Sequence, residues 1–269
     1  MKYYSTQLRN IFGLFMVVFL SSCEEVIDID LNSSNPVLVA EGAIDNESPA
    51  WIRLTYTTDY FETEEAKFES TATVTITDNV GHSEILEYVS EGLYQGSDLI
   101  GAFNDQYTIS ILNNGIEYEA SSKLFPPSEI RSVSFEENEN LKPGQDESYT
   151  ITINFEDDPL TNNYYLFKYW INGDLETNSS YLVDDSYYEN TGLIEYSPFR
   201  LNFEMDDELR IQLYTIDEDT YVYYSELNDA EGGMMGGSST PYNPESNFGA
   251  EVLGYFAAWS MVEYDTKVE

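Results

Sequence analysis

Apolar and polar residues change places at every step of Ala72-Thr73-Val74-Thr75-Ile76-Thr77, and most of them are β-branched. A period of two in such side chains predicts a strand with one buried face. Trp51-Ile52-Arg53-Leu54-Thr55-Tyr56 and Ile85-Leu86-Glu87-Tyr88-Val89 read the same way. Val37-Leu38-Val39-Ala40-Glu41 is more continuously apolar and predicts a buried strand. Asp78-Asn79-Val80-Gly81 supplies turn chemistry between two of these runs. Residues 106–111 alternate into Asn113-Asn114-Gly115, and residues 116–120 alternate on the way back. Asn-Gly between alternating runs is a strong short-range hairpin signal.

Pro126-Pro127 interrupts the pattern. A double proline cannot donate to a strand ladder, so a domain boundary is expected there. Four more strands are predicted over residues 130–135, 149–155, 164–170 and 208–214. The pattern predicts an all-β fold of two antiparallel β-sandwiches in tandem, immunoglobulin- or fibronectin-III-like, over residues 35–125 and 128–269. One short helix is expected near 218–228, where Tyr221, Tyr224 and Leu227 fall three apart. Residues 231–240, with Met234 and Met235 among glycines and serines, predict a flexible loop. The apolar run 252–262 is expected to fill the second sandwich.

The first 22 residues follow another logic. Lys2 and Arg9 precede an apolar stretch from Ile11 to Leu20, and Ser21-Ser22 lead to Cys23. This order predicts a signal peptide over residues 1–22. The stretch is about half the ~20 residues of a membrane-spanning helix, and it has no polar face for lying on a membrane surface. Leu20-Ser21-Ser22-Cys23 resembles a bacterial lipobox. That resemblance implies a diacylglycerol on the Cys23 thiol and an acylated Cys23 as the first mature residue. An acidic tether is expected over residues 23–34. Its Glu24-Glu25 start resembles the surface-export signals of Bacteroidetes lipoproteins, and a plain acidic spacer is the other reading.

Charge supports anchoring by lipid. The chain carries 50 acidic and 11 basic residues, a net charge of −39. Nucleic acid is excluded as a partner, because binding it needs a positive footprint. Anionic head groups repel such a surface, which leaves the acyl chains to hold the membrane. At 42% apolar and 15% aromatic residues, the chain has material for a core despite that charge. Cys23 is the only cysteine, so no internal disulfide is expected.

Candidate chemistry is sparse. His82 is the only histidine and stands in a turn, so a Ser-His-Asp triad would have to use it. Zinc sites of the His/Cys type lack ligands, and no phosphate cradle or dinucleotide fingerprint is present. No catalytic residue, cofactor site or metal site is therefore assigned. The acidic clusters Glu156-Asp157-Asp158, Asp184-Asp185 and Asp206-Asp207-Glu208 read as solvated turns. They are also the oxygen donors calcium would use, without the spacing of a calcium loop. Two carboxylates roughly 5–10 Å apart would suffice for glycoside hydrolysis, and so many acids meet that distance by chance. Trp51, Trp170 and Trp259 are read as core, with a sugar-stacking or peptide-binding face as the alternative. Tyr181, Tyr187 and Tyr188 are expected at the surface.

Several elements in one order resemble a known family. They are the lipobox with its acidic start, Leu38-Val39-Ala40-Glu41-Gly42, Gly92-Leu93-Tyr94, and Tyr118-Glu119-Ala120 leading to Pro126-Pro127 and Ile130. Asp157-Asp158-Pro159 before Tyr164-Tyr165, the stretch 214–227, Asn247-Phe248-Gly249 and Gly254-Tyr255-Phe256 complete the series. The chain resembles the Bacteroidetes outer-membrane lipoproteins grouped as domain of unknown function 4249. The resemblance implies an outer-membrane lipoprotein associated with a TonB-dependent transporter of the nutrient-uptake type. It implies no reaction and no ligand. The expected protein is non-catalytic, anchored through Cys23 at the cell surface or on the periplasmic face, and binds a glycan or peptide. A carboxylate-based surface glycosidase and a calcium-binding adhesive envelope protein are the alternatives.

Overall fold

The strands form where the alternation places them. In a computed structural model, the described residues are 35–58, 67–138, 148–177, 180–189, 191–230 and 242–269. Cys23, the residues before it and the glycine-rich loop 231–240 lie outside them. Strands β1 (Leu38–Ile44), β2 (Pro49–Tyr56), β3 (Lys67–Phe68), β4 (Thr73–Asp78), β5 (Ser83–Ser90) and β6 (Leu93–Ile100) come first. Strands β7 (Gln106–Asn113) and β8 (Ile116–Lys123) form the expected hairpin. Its central residues, Asn114 at φ 52° and Gly115 at φ 82°, are both left-handed. That turn suits the twist of the flanking strands, which is why Asn-Gly is favoured there. Along β4, Val74 and Ile76 are fully buried, while the threonines face outward.

These strands belong to a sheet ordered β16-β1-β2-β6-β5-β4-β7-β8, with β3 on β2. Strand β16 (Val252–Ala258) comes from the far end of the chain and pairs with β1 in parallel. The closing run was expected in the second sandwich. Only its last part goes there, as β17 (Ser260–Lys267) beside β15 (Glu208–Ile216). The reason is double burial. Val252, Phe256 and Ala258 enter the first core, while Tyr255 and Ala257 enter a separate cluster on the other face. A strand covered on both faces reads as continuously apolar, and parallel pairing is typical of such strands. Gly254, at φ 91°, lets β16 approach β1, since a Cβ there would lie 2.1 Å from the Ala40 carbonyl oxygen.

The first sheet curls until its edge strands meet. The Ala258 N–H on β16 donates to Ser122 Oγ on β8 at 2.7 Å. A nearly closed barrel therefore stands where the first of two tandem sandwiches was expected. Its interior is filled by Ile52, Leu54, Val74, Ile76, Ile109, Ile111 and Phe256. The expected boundary at Pro126-Pro127 does not separate the two lobes in sequence, because β16 returns across it.

The second lobe has two facing sheets. One is β14 (Leu193–Tyr196), β10 (Tyr149–Glu156) and β9 (Ile130–Glu137). The other is β12 (Asp174–Leu175), β11 (Tyr164–Ile171), β15 and β17, with β13 (Tyr181–Asp184) also on β11. Ile151, Ile153 and Phe155 pack against Phe167, Tyr169, Ile211 and Leu213 between them. Aromatic rings set the fit: Phe155 meets Tyr165 edge-on at 4.9 Å, and Phe167 stacks on Tyr196 at 5.0 Å.

Helix α1 (Glu218–Ala230) matches the predicted 218–228 segment. Asp217 caps it, accepting from the Thr220 N–H at 3.0 Å, and Glu218 and Asp219 in its first turn suit the positive end of the helix dipole. Tyr221, Tyr224 and Leu227 share a packed face as expected, and Tyr223 joins them. That face lies in one cluster with Ala43 and Trp259, and with Leu166 and Ile216 of the second lobe. Residues 36–269 form one compact unit.

Candidate functional site

Lys168 is the residue around which a site can be built. It sits in β11 within Leu166-Phe167-Lys168-Tyr169-Trp170. Alternation sends Phe167 and Tyr169 into the sandwich core and turns Lys168 to the opposite face. There β11 pairs with β15, placing Lys168 opposite Gln212 and Leu166 opposite Tyr214. The ammonium lies 4.9 Å from the centre of the Tyr214 ring and 5.4 Å from that of Trp259. Lys168 makes no hydrogen bond or ion pair with the described residues. Its side chain is largely buried, and burial pushes its pKa down from the ordinary lysine value. The two rings offset part of that cost through their negative faces.

The opposite wall belongs to the barrel. The turn between β1 and β2 carries Asp45, Asn46, Glu47 and Ser48, and Trp51 follows on β2. Asp45 Oδ1 accepts from the N–H groups of Glu47 at 2.7 Å and Ser48 at 2.6 Å, so this carboxylate holds the turn. The Glu47 side chain is exposed and has no such engagement among the described residues. Tyr214 and Trp259 meet at 5.1 Å and 63°, forming a corner. Met261, paired with Tyr214 across β17, completes the lining. The cleft is about 310 Å³.

Tyr214 is held neutral and oriented. Burial, then the nearby charges of Asp45 and Glu263, push its hydroxyl up to about 12. It donates to Gln212 Oε1 at 2.6 Å, and Gln212 Nε2 donates on to Glu263 at 2.9 Å. The Tyr214 oxygen is therefore left with lone pairs for another donor.

A broader cavity, about 880 Å³, lies at the far side of the second lobe and is lined by Phe135, Trp170, Arg210 and Lys267 among others. Its cations are already paired. Arg210 bonds Asp265 at 3.0 Å and Lys267 bonds Asp206 at 2.7 Å. Size alone does not make it the better site, because both of its cations are already paired.

The residues singled out from sequence scatter. Trp51 and Trp259 meet at the cleft, but Trp170 lines the other cavity. Tyr187 is exposed as expected. Tyr181 is not: it is buried edge-on against Tyr169 at 5.0 Å, because β13 adds to β11 and carries it inward. Tyr188 is half-buried against the sandwich core. His82 is exposed, its Nδ1 2.7 Å from Asp78 Oδ2, and no serine hydroxyl among the described residues bonds its ring.

The acidic clusters organise turns. Asp157 accepts from the Tyr165 hydroxyl at 2.7 Å, Asp184 caps a short 3-10 turn, and Asp207 accepts from Asn172 at 2.7 Å. Among the described residues no three His, Cys, Asp or Glu side chains come close enough to hold a metal ion. Lys168 was missed in the sequence. The available signal was a lone lysine inside an aromatic strand, at a position where alternation predicts a covered face.

The model of a family described as Domain of unknown function (DUF4249) matches residues 24–265, which is nearly everything after Cys23. No curated protein matches the chain. No helix among the described residues is long and apolar enough to cross a membrane.

Proposed function

The chain belongs to the DUF4249 family, and we propose that it is a lipid-anchored outer-membrane protein that binds a small ligand without transforming it. In this reading Cys23 carries the acyl anchor, and the β-rich body works as an accessory to a TonB-dependent nutrient transporter. The second lobe is read as an immunoglobulin- or fibronectin-III-like sandwich that supplies one wall of the ligand cleft.

The observation that carries the reading is Lys168. A largely buried ammonium without an anionic partner is costly to a folded protein. Keeping one at an open cleft between Tyr214 and Trp259 is accounted for if a ligand supplies its acceptors. The order of Lys2, the apolar stretch and Leu20-Ser21-Ser22-Cys23 supports the anchor. The charge of −39 supports attachment through acyl chains rather than head groups.

Two measurements test the reading. Cells fed an alkyne fatty acid should label the wild-type chain, and Cys23→Ala should abolish the label. Tagged full-length chain recovered from outer membranes should bring a TonB-dependent transporter with it. An unlabelled wild type overturns the anchor, and recovery without any transporter overturns the accessory role.

A further inference from the structure

We propose that the cleft between the β1–β2 turn and β11 is a subsite for a neutral saccharide ring. The proposal rests on the reading of Lys168 as a ligand group and adds the chemical class of that ligand.

Three features of the lining select it. First, the unengaged groups are of both kinds. Lys168 offers three N–H donors and no acceptor, while Glu47 offers only acceptors. The Tyr214 hydroxyl, already donating to Gln212, can accept once more. A hydroxyl both donates and accepts, so one polyol can satisfy all three. A simple carboxylate would suit Lys168 but oppose Glu47.

Second, the walls offer apolar faces. Tyr214 and Trp259 form a corner at 63°, and Trp51 stands on the barrel side. Aromatic rings pack well against ligands with an apolar body and a polar edge, which is the character of a sugar ring. The volume of about 310 Å³ falls at the low end of small-ligand sites, roughly 300–1,000 Å³. It has room for a short saccharide and not for a folded partner.

Third, the whole-protein field argues against an anion. With a net charge of −39, the surface repels an anion that comes within about one Debye length, roughly 8 Å, and Lys168 offsets only one of those charges. A neutral ring meets no such barrier.

The test uses the full chain purified in a sugar-free detergent. Tryptophan fluorescence and calorimetry follow titration with three sets of probes: neutral oligosaccharides, the matching uronic-acid oligosaccharides, and short peptides. Lys168→Met and Trp51→Ala are titrated alongside, with melting curves to show that each is folded. The expected result is saturable binding of at least one neutral oligosaccharide, weakened about tenfold or more in Lys168→Met, as for loss of a hydrogen bond to a charged group. Tighter binding of uronates or peptides that Lys168→Met removes would overturn the neutral-saccharide class and leave the binding cleft standing. No binding in any set, or binding that neither substitution changes, would overturn both.

Discussion

The hydroxyl of Ser122 donates to Asp217 Oδ2 at 2.6 Å across 95 residues of sequence. The same Ser122 oxygen accepts from the Ala258 N–H, and the same carboxylate caps helix α1 through the Thr220 N–H. Two side chains thus join the last strand of the barrel sheet, its returning strand β16 and the start of the helix. Ser122→Ala leaves the buried Ala258 N–H without an acceptor, which should cost about 1–3 kcal/mol. Asp217→Ala removes the cap as well and should cost at least as much, with about 1 kcal/mol of it from the cap. Asp217→Asn keeps a capping oxygen and should cost less. Urea denaturation of the three variants and of the Ser122→Ala/Asp217→Ala pair checks this. The pair should lose less than the sum of the singles, since both remove one shared bond.

Much of the strand pattern was legible because one-sided burial writes itself as alternation. Val74 and Ile76 against their flanking threonines give β4, and Asn114-Gly115 gives the β7–β8 hairpin by local conformation alone. β16 was not legible in the same way. Tyr255 and Phe256 are adjacent, yet they serve different cores, so no period reports which sheet the strand joins. Its partner β1 lies at the other end of the described chain, and nothing local encodes that pairing. The cleft shares this limit. Trp51 and Trp259 were visible as large aromatics, but only the parallel return of β16 brings Trp259 toward the turn at Asp45.

The close approach of β16 to β1 depends on Gly254. Alanine there combines a left-handed φ of 91° with a Cβ 2.1 Å from the Ala40 oxygen. Gly115→Ala provides the control, with a φ of 82° and no atom within 4 Å of the added carbon. The control should lose about 1 kcal/mol from backbone strain alone. Gly254→Ala should lose several-fold more, about 3 kcal/mol or above, because the strands must also move apart. Equal losses in chemical denaturation would mean that the barrel absorbs the shift at this seam.

Stability should form a plateau bounded by carboxylates below and tyrosines above. Burial works to raise Glu69, Asp78 and Glu84, but their hydrogen bonds outweigh it and hold all three below the ordinary carboxylate range. Glu84, for instance, accepts from the N–H groups of Ser97, Asp98 and Leu99. A lowered pKa contributes stability that is present above about pH 4 and is lost as pH falls through the folded value. At the other limb, burial raises Tyr165, Tyr181, Tyr196, Tyr214 and Tyr224, with Tyr181 reaching about 12. Their contribution is complete below about pH 10 and declines as pH rises through the folded values. Denaturation midpoints measured across pH should fall at both ends. The absorbance of buried tyrosinates should appear together with loss of near-ultraviolet circular dichroism, not before it.

Lys168 sets stability and binding against each other. Its burial disfavours the charged form, so its folded pKa lies below the ordinary lysine value of about 10.4. The unfolded chain then binds more protons than the folded chain between those two values, and stability rises with pH across that window. Lys168→Met fills similar space without a charge. It should be more stable than the wild type by about 1 kcal/mol near neutral pH, or roughly 2–4 °C in Tm for a domain of this size. That advantage should shrink as pH climbs toward about 10.4, because the wild-type amine is then neutral in both states. The same substitution should weaken ligand binding about tenfold or more, as expected for a group kept at a cost to the empty protein. Melting curves of the two proteins across this range, with and without a bound oligosaccharide, decide the point. A wild type more stable than Lys168→Met at every pH without ligand would show that the two rings alone compensate the ammonium, and the argument for a ligand at Lys168 would fail.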